Sequence, residues 1–346
     1  AGRGHTVREA GVGDAPRARP TGTLAIGAGY TSDDGTILAA RVAQPHLFGS
    51  DHALTLDAQL SLRRALTRLR YDAPLTDRLA LRVELSAERH ALPGFVRAAD
   101  GVTLELARRL EGPWRVFVRG ELAHLQAQLG ASDVLADGRA VAAVARGAAM
   151  APLDLGDGLW GTVSAGVAYD TRGADRLGSY LALTSALSAP LDAPHSRVAR
   201  LRLEAESARP LGPFVLRLQG HAGVARGVDG ELPLTARLFH GGNSDVRGYA
   251  VGAFGAPQGD GAELVGRAEL ELPIWRRAGL SVAAFADVGV RGALDGAAAM
   301  GGAGWARSAG GSLIWRSPIG TLRVDVAYPL DGNDRRPVFL FSLGEW

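Results

Sequence analysis

The residue types that could perform covalent chemistry gather in one segment, Phe239-His240-Gly241-Gly242-Asn243-Ser244-Asp245-Val246-Arg247-Gly248-Tyr249, inside a long Gly-rich connection over 228–262. His240, Ser244 and Asp245 are the side-chain types of a hydrolytic triad. A triad needs a base within hydrogen-bond reach of the nucleophile and oriented by a third group, which neighbours inside one flexible loop do not provide. No catalytic residue is therefore assigned, and no enzyme activity is expected. The eight His residues show no His-x-x-x-His spacing and Cys is absent, so neither a metal site nor a cofactor is expected. Gly301-Gly302-Ala303-Gly304 reads as an extracellular loop that precedes no helix, and so is no phosphate cradle. What remains is ionic chemistry, a guanidinium at Arg247 that can make forked hydrogen bonds to carboxylates.

The elements that must position that guanidinium are strands. Along much of the chain apolar and polar residues alternate with period two, which places successive side chains on opposite faces. Leu54, Leu56, Ala58, Leu60 and Leu62 are set against Thr55, Asp57, Gln59 and Ser61; Leu81, Val83 and Leu85 against Arg82, Glu84, Ser86 and Glu88. Ala199, Leu201, Leu203 and Ala205 likewise oppose Arg200, Arg202, Glu204 and Glu206, and Leu322, Val324, Val326 and Tyr328 oppose Arg323 and Asp325.

Strands are expected at 22–31, 36–45, 53–63, 65–74, 78–89, 102–110, 113–128, 158–170, 178–189, 196–208, 213–227, 263–273, 280–290, 306–316, 319–329 and 336–346. These are about sixteen, an even number suited to an antiparallel closed barrel. Val141 to Ala149 reads as an extra hairpin or a long loop. A soluble sandwich also alternates, but here the polar face carries Arg and Glu side by side on strand after strand, as a wet lumen would. The expected fold class is thus all-β, a transmembrane antiparallel barrel over 21–346, its apolar face toward lipid and its closure removing exposed edges.

Trp114, Trp160, Tyr180, Trp275 and Trp315 stand near strand ends, where interfacial girdles are expected. The short links Ser32-Asp33-Asp34-Gly35 and Ser317-Pro318 read as periplasmic turns, in contrast to the long connection 228–262.

Composition agrees. The chain of 346 residues is 47% hydrophobic, yet no run of eighteen apolar residues could cross a bilayer as a helix. All 38 basic residues are arginine, they interleave with 36 acidic ones, and the net charge is +2, so no basic face points to nucleic acid. Absence of Cys fits an exported chain. No signal-peptide pattern opens the sequence, so Ala1 is expected to follow a cleavage site or another boundary.

Arg247 lies in a loop longer than a barrel mouth requires. It can fold back into the lumen only if its charge is matched, since a half-buried guanidinium without acceptors is costly. Glu269 and Asp287 lie on the polar, inward faces of the next two strands and are the expected acceptors. Gly241, Gly242 and Gly248 let the loop backbone turn and approach the wall. The bland alternative is a surface loop with a solvated Arg.

The same segment, Gly241-Gly242 followed by Val246-Arg247-Gly248-Tyr249, resembles the sixth extracellular loop of the BamA/TamA superfamily of outer-membrane insertases and transporters. Arg267-Ala268-Glu269-Leu270-Glu271-Leu272-Pro273, Phe285-Ala286-Asp287-Val288-Gly289 and Ser317-Pro318-Ile319-Gly320 are similar to the family's following strands and turn. Gly29-Tyr30-Thr31-Ser32-Asp33-Asp34-Gly35 and Gln44-Pro45-His46-Leu47-Phe48-Gly49 are similar to its first hairpin and second strand end. The resemblance runs from about Gly22 to Trp346. It implies that Arg247 docks the loop and holds the barrel in a competent shape.

It also implies a lateral seam between first and last strands, with Leu24, Ile26, Phe339, Phe341, Leu343 and Trp346 at its edges. Phe339, Phe341 and Leu343 alternate toward lipid, and the chain ends on an aromatic residue one position sooner than the family's assembly signal. The Gly- and Ala-rich first strand has low strand propensity, so this seam is the weakest part of the sheet. In the family it opens toward lipid and accepts a client strand by β-augmentation.

The function implied is insertion or export of β-rich clients in the bacterial outer membrane. The implied partners are outer-membrane lipids and lipopolysaccharide, unfolded barrel or secreted proteins, and periplasmic accessory proteins. The alternatives are a two-partner-secretion pore and the barrel anchor of an upstream enzyme such as a patatin-like phospholipase. Residues 1–20, with Gly, Pro and four Arg, are too short and broken to be the plug helix of a two-partner-secretion pore. They read as a linker or the end of a periplasmic POTRA-like segment, of which Thr6-Val7-Arg8-Glu9 would be the last strand.

Overall fold

A computed structural model describes residues 22–92, 95–129, 154–173, 176–239, 241–242, 245–250, 259–292, 304–317, 320–332 and 336–343. The N-terminal segment 1–20, the Val141–Ala149 segment, His240, Ser244, Gly301–Ala303, the Pro318-Ile319 turn and Trp346 lie outside the described residues.

The alternating segments form one closed sheet. Its strands are β1 Thr23–Thr31, β2 Gly35–Gln44, β3 Ala53–Leu60, β4 Arg64–Pro74, β5 Leu79–Leu92, β6 Phe95–Arg109, β7 Trp114–Leu129 and β8 Gly158–Asp170. They continue as β9 Gly178–Pro190, β10 Val198–Leu211, β11 Phe214–Gly227, β12 Ala262–Trp275, β13 Leu280–Gly292, β14 Trp305–Ser317, β15 Gly320–Pro329 and β16 Val338–Leu343. Each strand pairs antiparallel with its sequence neighbours, and β16 returns to β1 through a seam that is short among the described residues; closure of this kind removes the edges that lipid could not satisfy.

The two faces have the expected chemistries. Leu24, Ile26, Leu56, Leu85, Leu104, Val163 and Leu201 are exposed on the outer surface, as hydrocarbon-facing residues must be. The inner face holds ion pairs such as Arg64 with Glu88 at 2.8 Å and Arg82 with Asp72 at 2.7 Å.

Three expectations are corrected. Up-and-down antiparallel order puts every odd-to-even connection at one end, so the Ser32–Asp34 turn shares its end with the long 228–261 connection, opposite the β14–β15 turn. The two short links cannot both be periplasmic. Trp160 and Tyr180 are not girdle residues. Trp160 shares its face with Ser164, is buried, and packs with Val198 and Ala236; Tyr180 shares its face with Ala182 and lies under the Arg172 guanidinium. Trp114, Trp275 and Trp315 are exposed.

Finally, β6 begins at Phe95, seven positions earlier than the alternation indicates. β7 has 16 residues, whereas crossing a bilayer takes about 9–11. On the outer faces of β5, β6 and β7 the apolar rows give way to Arg89, Asp100, His124, Gln126 and Gln128 toward the long-loop end. There the sheet stands in water, and nothing requires its outer face to be apolar.

Candidate functional site

The inner wall of β12–β15 is built from two facing rows. Arg267 stands opposite Asp287 and then Ser308, and Glu269 stands opposite Phe285, Gly310 and Ala327. The small members make a trough. A Cβ on Gly310 would strike the Phe285 ring and the Val326 carbonyl, so glycine there lets the ring lie flat against the wall.

The loop from β11 to β12 settles in this trough. Arg247 has a side chain 1% exposed. Its Nε and Nη2 donate to the two oxygens of Asp287, both at 2.8 Å, and its backbone N–H donates to Oδ2 at 3.1 Å. Nη1 donates to Glu269 Oε2 at 3.0 Å. The guanidinium carbon stands 3.5 Å from the Phe285 ring centroid, so the cation is also held from its flat side. The sequence-derived trio thus meets in one place.

Glu269 also accepts from Arg323, which in turn donates to Asp325 and to Ser312 Oγ. Arg267 Nε lies 3.8 Å from Asp287. Three arginines and three carboxylates therefore share the site without net charge, the condition under which buried ions persist.

On either side of Arg247 the fit is apolar. Val246, wholly buried, packs with Val265 and Ala306. The Tyr249 hydroxyl donates to the Arg307 carbonyl at 3.0 Å and accepts from Asp331 N–H at 3.2 Å, linking the loop to the β15–β16 connection. The turn closes on itself, with Gly242 N–H donating to Tyr249 O at 2.7 Å and Gly241 N–H to Asp245 Oδ2 at 3.0 Å. Asp245 is thereby a turn-closing acceptor.

Gly248 has φ +90°, and a Cβ there would sit 3.2 Å from Ala327 Cβ. Gly248→Ala should accordingly loosen this docking by about 1–3 kcal/mol, read as faster protease cleavage within the loop while the barrel stays heat-modifiable.

Other attachments were not legible from the sequence. Phe285 as a stacking platform, Arg323 and Ser312 belong to the site. The first half of the loop also makes its own apolar contact across the mouth. Leu234 packs with Leu92, Phe95 and Ala127, and Ala236 with Trp160 and Val198. Phe239 lies 5.3 Å from Phe95, ring to ring. Leu234 N–H donates to the Asp154 carbonyl, and His195 bridges Asp154 Oδ1 at 2.7 Å and the Asp157 carbonyl at 2.6 Å. An irregular run of apolar residues inside a loop has no period to announce it.

The seam is unequal to the rest of the sheet. β1 pairs with β2 from Thr23↔Ala43 through Thr31↔Gly35, but with β16 only at Tyr30↔Leu343 and Thr31↔Ser342 among the described residues. Ser32 and Phe341 add two hydrogen bonds, and the Tyr30 and Phe341 rings lie 5.7 Å apart. Phe339 and Phe341 therefore stand beside the β1–β2 turn, while Leu24 and Ile26 are exposed further along β1 with no described β16 residue opposite. Leu340 turns inward, packing with Phe285 and Ala327, and so ties the seam strand to the platform beneath Arg247.

A family profile described as Omp85 superfamily domain matches residues 24–345. Among solved structures the chain is similar to BamA from Haemophilus ducreyi lacking POTRA domains 1-3, with TM-score 0.74 and 18% identity, covering 94% of this chain and 70% of that one. It is also similar to CdiB from Acinetobacter baumannii, with TM-score 0.61, 15% identity and 92% and 58% coverage, and to CdiB from Escherichia coli, with 0.59, 14%, and 93% and 62%. The chain thus spans less than two thirds of either CdiB. No curated protein sequence matches it.

Proposed function

The chain belongs to the Omp85 superfamily, and from that premise we propose that this outer-membrane barrel inserts or exports β-rich client proteins, passing them by way of the seam between β1 and β16. The observation that carries the reading is the pairing of β1. One side of that strand is engaged along its whole length, and the other meets its described neighbour at two positions. Unpaired backbone N–H and C=O groups cost several kcal/mol each in hydrocarbon, so such an edge favours an incoming strand that completes the ladder. Strand addition is backbone chemistry and needs no catalytic side chain, and on this reading the chain is not an enzyme.

Arg247, Gly248 and Tyr249 then have a mechanical role. By fixing the loop to β12–β15 and the β15–β16 connection, they hold the wall that carries β16 in one shape, so that parting is confined to the seam. The partners are unfolded clients, outer-membrane lipids including lipopolysaccharide, and periplasmic accessory proteins that deliver clients.

The test is reconstitution. The protein in proteoliposomes should accelerate appearance of a heat-modifiable, protease-resistant client barrel relative to protein-free vesicles. Equal rates in the two preparations would remove the insertion reading, and release of client into the vesicle lumen without insertion would favour a secretion pore.

A further inference from the structure

Most arginines that line the lumen touch an acid, as Arg68 and Arg70 share Glu84 and Arg82 and Arg119 share Glu105. Arg97 on β6 and Arg200 on β10 differ. Neither has an ion pair or hydrogen bond among the described residues, and Arg97 Nε is buried with no acceptor. Both occupy the inward position next after a lid contact. Phe95 precedes Arg97 beneath Leu234, and Val198 precedes Arg200 beneath Ala236. The pair is therefore placed directly under the apolar half of the loop, and the charges that act on Arg200 are Arg97 and Glu121. Glu121 is itself unpaired among the described residues, so two guanidiniums without an ion pair share one carboxylate, whereas the neighbouring lumenal arginines each touch an acid. Low-dielectric walls focus such an excess onto the water between them, and unpaired arginines lining a pore favour anions.

We infer that Arg97 and Arg200 form a lumenal site for small anions such as chloride, and that this site gives the barrel an anion-selective conductance. Since neither guanidinium holds an acid in place, replacing both by Gln strands no carboxylate and leaves a heat-modifiable barrel.

The experiment is the zero-current potential of the protein in planar bilayers across a KCl gradient. The native protein should pass chloride in preference to potassium. Arg97→Gln with Arg200→Gln should lower that preference on the order of tenfold, Arg97→Lys with Arg200→Lys should retain it, and Glu121→Gln should raise it. A cation-selective or unselective native protein would overturn the inference, as would a double Gln variant with unchanged selectivity or a lumen that carries no current. None of these outcomes depends on client insertion.

Discussion

Arg247→Ala is expected to yield a folded, heat-modifiable barrel whose internal loop has come free and whose client assembly has fallen to a small fraction of normal. The magnitude follows from what the substitution leaves behind. Asp287 has a side chain 0% exposed and takes three of its hydrogen bonds from Arg247, so it is stranded as a buried charge. Removing one partner of such a pair costs about 3–5 kcal/mol.

That cost falls on docking, because the loop can lift and admit water to Asp287, whereas the strand ladders are untouched. Arg247→Lys should fall between, since an ammonium keeps the charge but loses the fork and the stacking on Phe285. Arg247→Ala combined with Asp287→Asn should recover part of the loss, because the neighbours interact and their effects do not add. Limited proteolysis of the loop together with the client assay reads all three. Normal assembly by a barrel whose loop has become protease-sensitive would separate docking from function.

A covalent bond across the seam is the second large effect. Thr31 and Ser342 are directly opposed, both face the lumen, and the chain contains no other cysteine to interfere. Opposed residues of an antiparallel pair lie about 4.5–5.5 Å apart at Cα, within the range a disulfide spans. Thr31→Cys with Ser342→Cys should, when oxidised, abolish nearly all client insertion, and reductant should restore it. Insertion that is unaffected by oxidation would mean that β1 and β16 need not separate. Since the bond closes only the long-loop end of the seam, partial activity would locate strand entry nearer Leu24 and Ile26.

Most of the barrel could be read from alternation because hydrocarbon on one side and water on the other force period two on every strand that crosses. Where that constraint lapses, so does the signal. β6 above Val102 runs through Gly101, Asp100 and Ala98 with no apolar row, so alternation does not mark its first residues. Trp160 lies near a strand end, but its parity with Thr162 and Ser164 already assigned it to the lumen.

Of the site, Glu269 and Asp287 were legible because they lie on consecutive strands with inward parity. Arg323 was not, because its reach to Glu269 crosses two intervening strands, past Ser312, whose hydroxyl accepts from it. Leu232 to Phe239 gave no sign, since a loop that docks by scattered apolar contacts has no repeat.

The loop's position against the inner wall is tested most directly by thiol labelling. In a Val246→Cys protein, a membrane-impermeant maleimide applied to the folded barrel should give no product until the barrel is heat-unfolded, because residue 246 is 0% exposed between Val265 and Ala306. A Val228→Cys reference, half exposed at the start of the same connection, should label at once. Prompt labelling at 246 in the folded barrel, at the rate seen at 228, would place the loop in solvent and contradict the account.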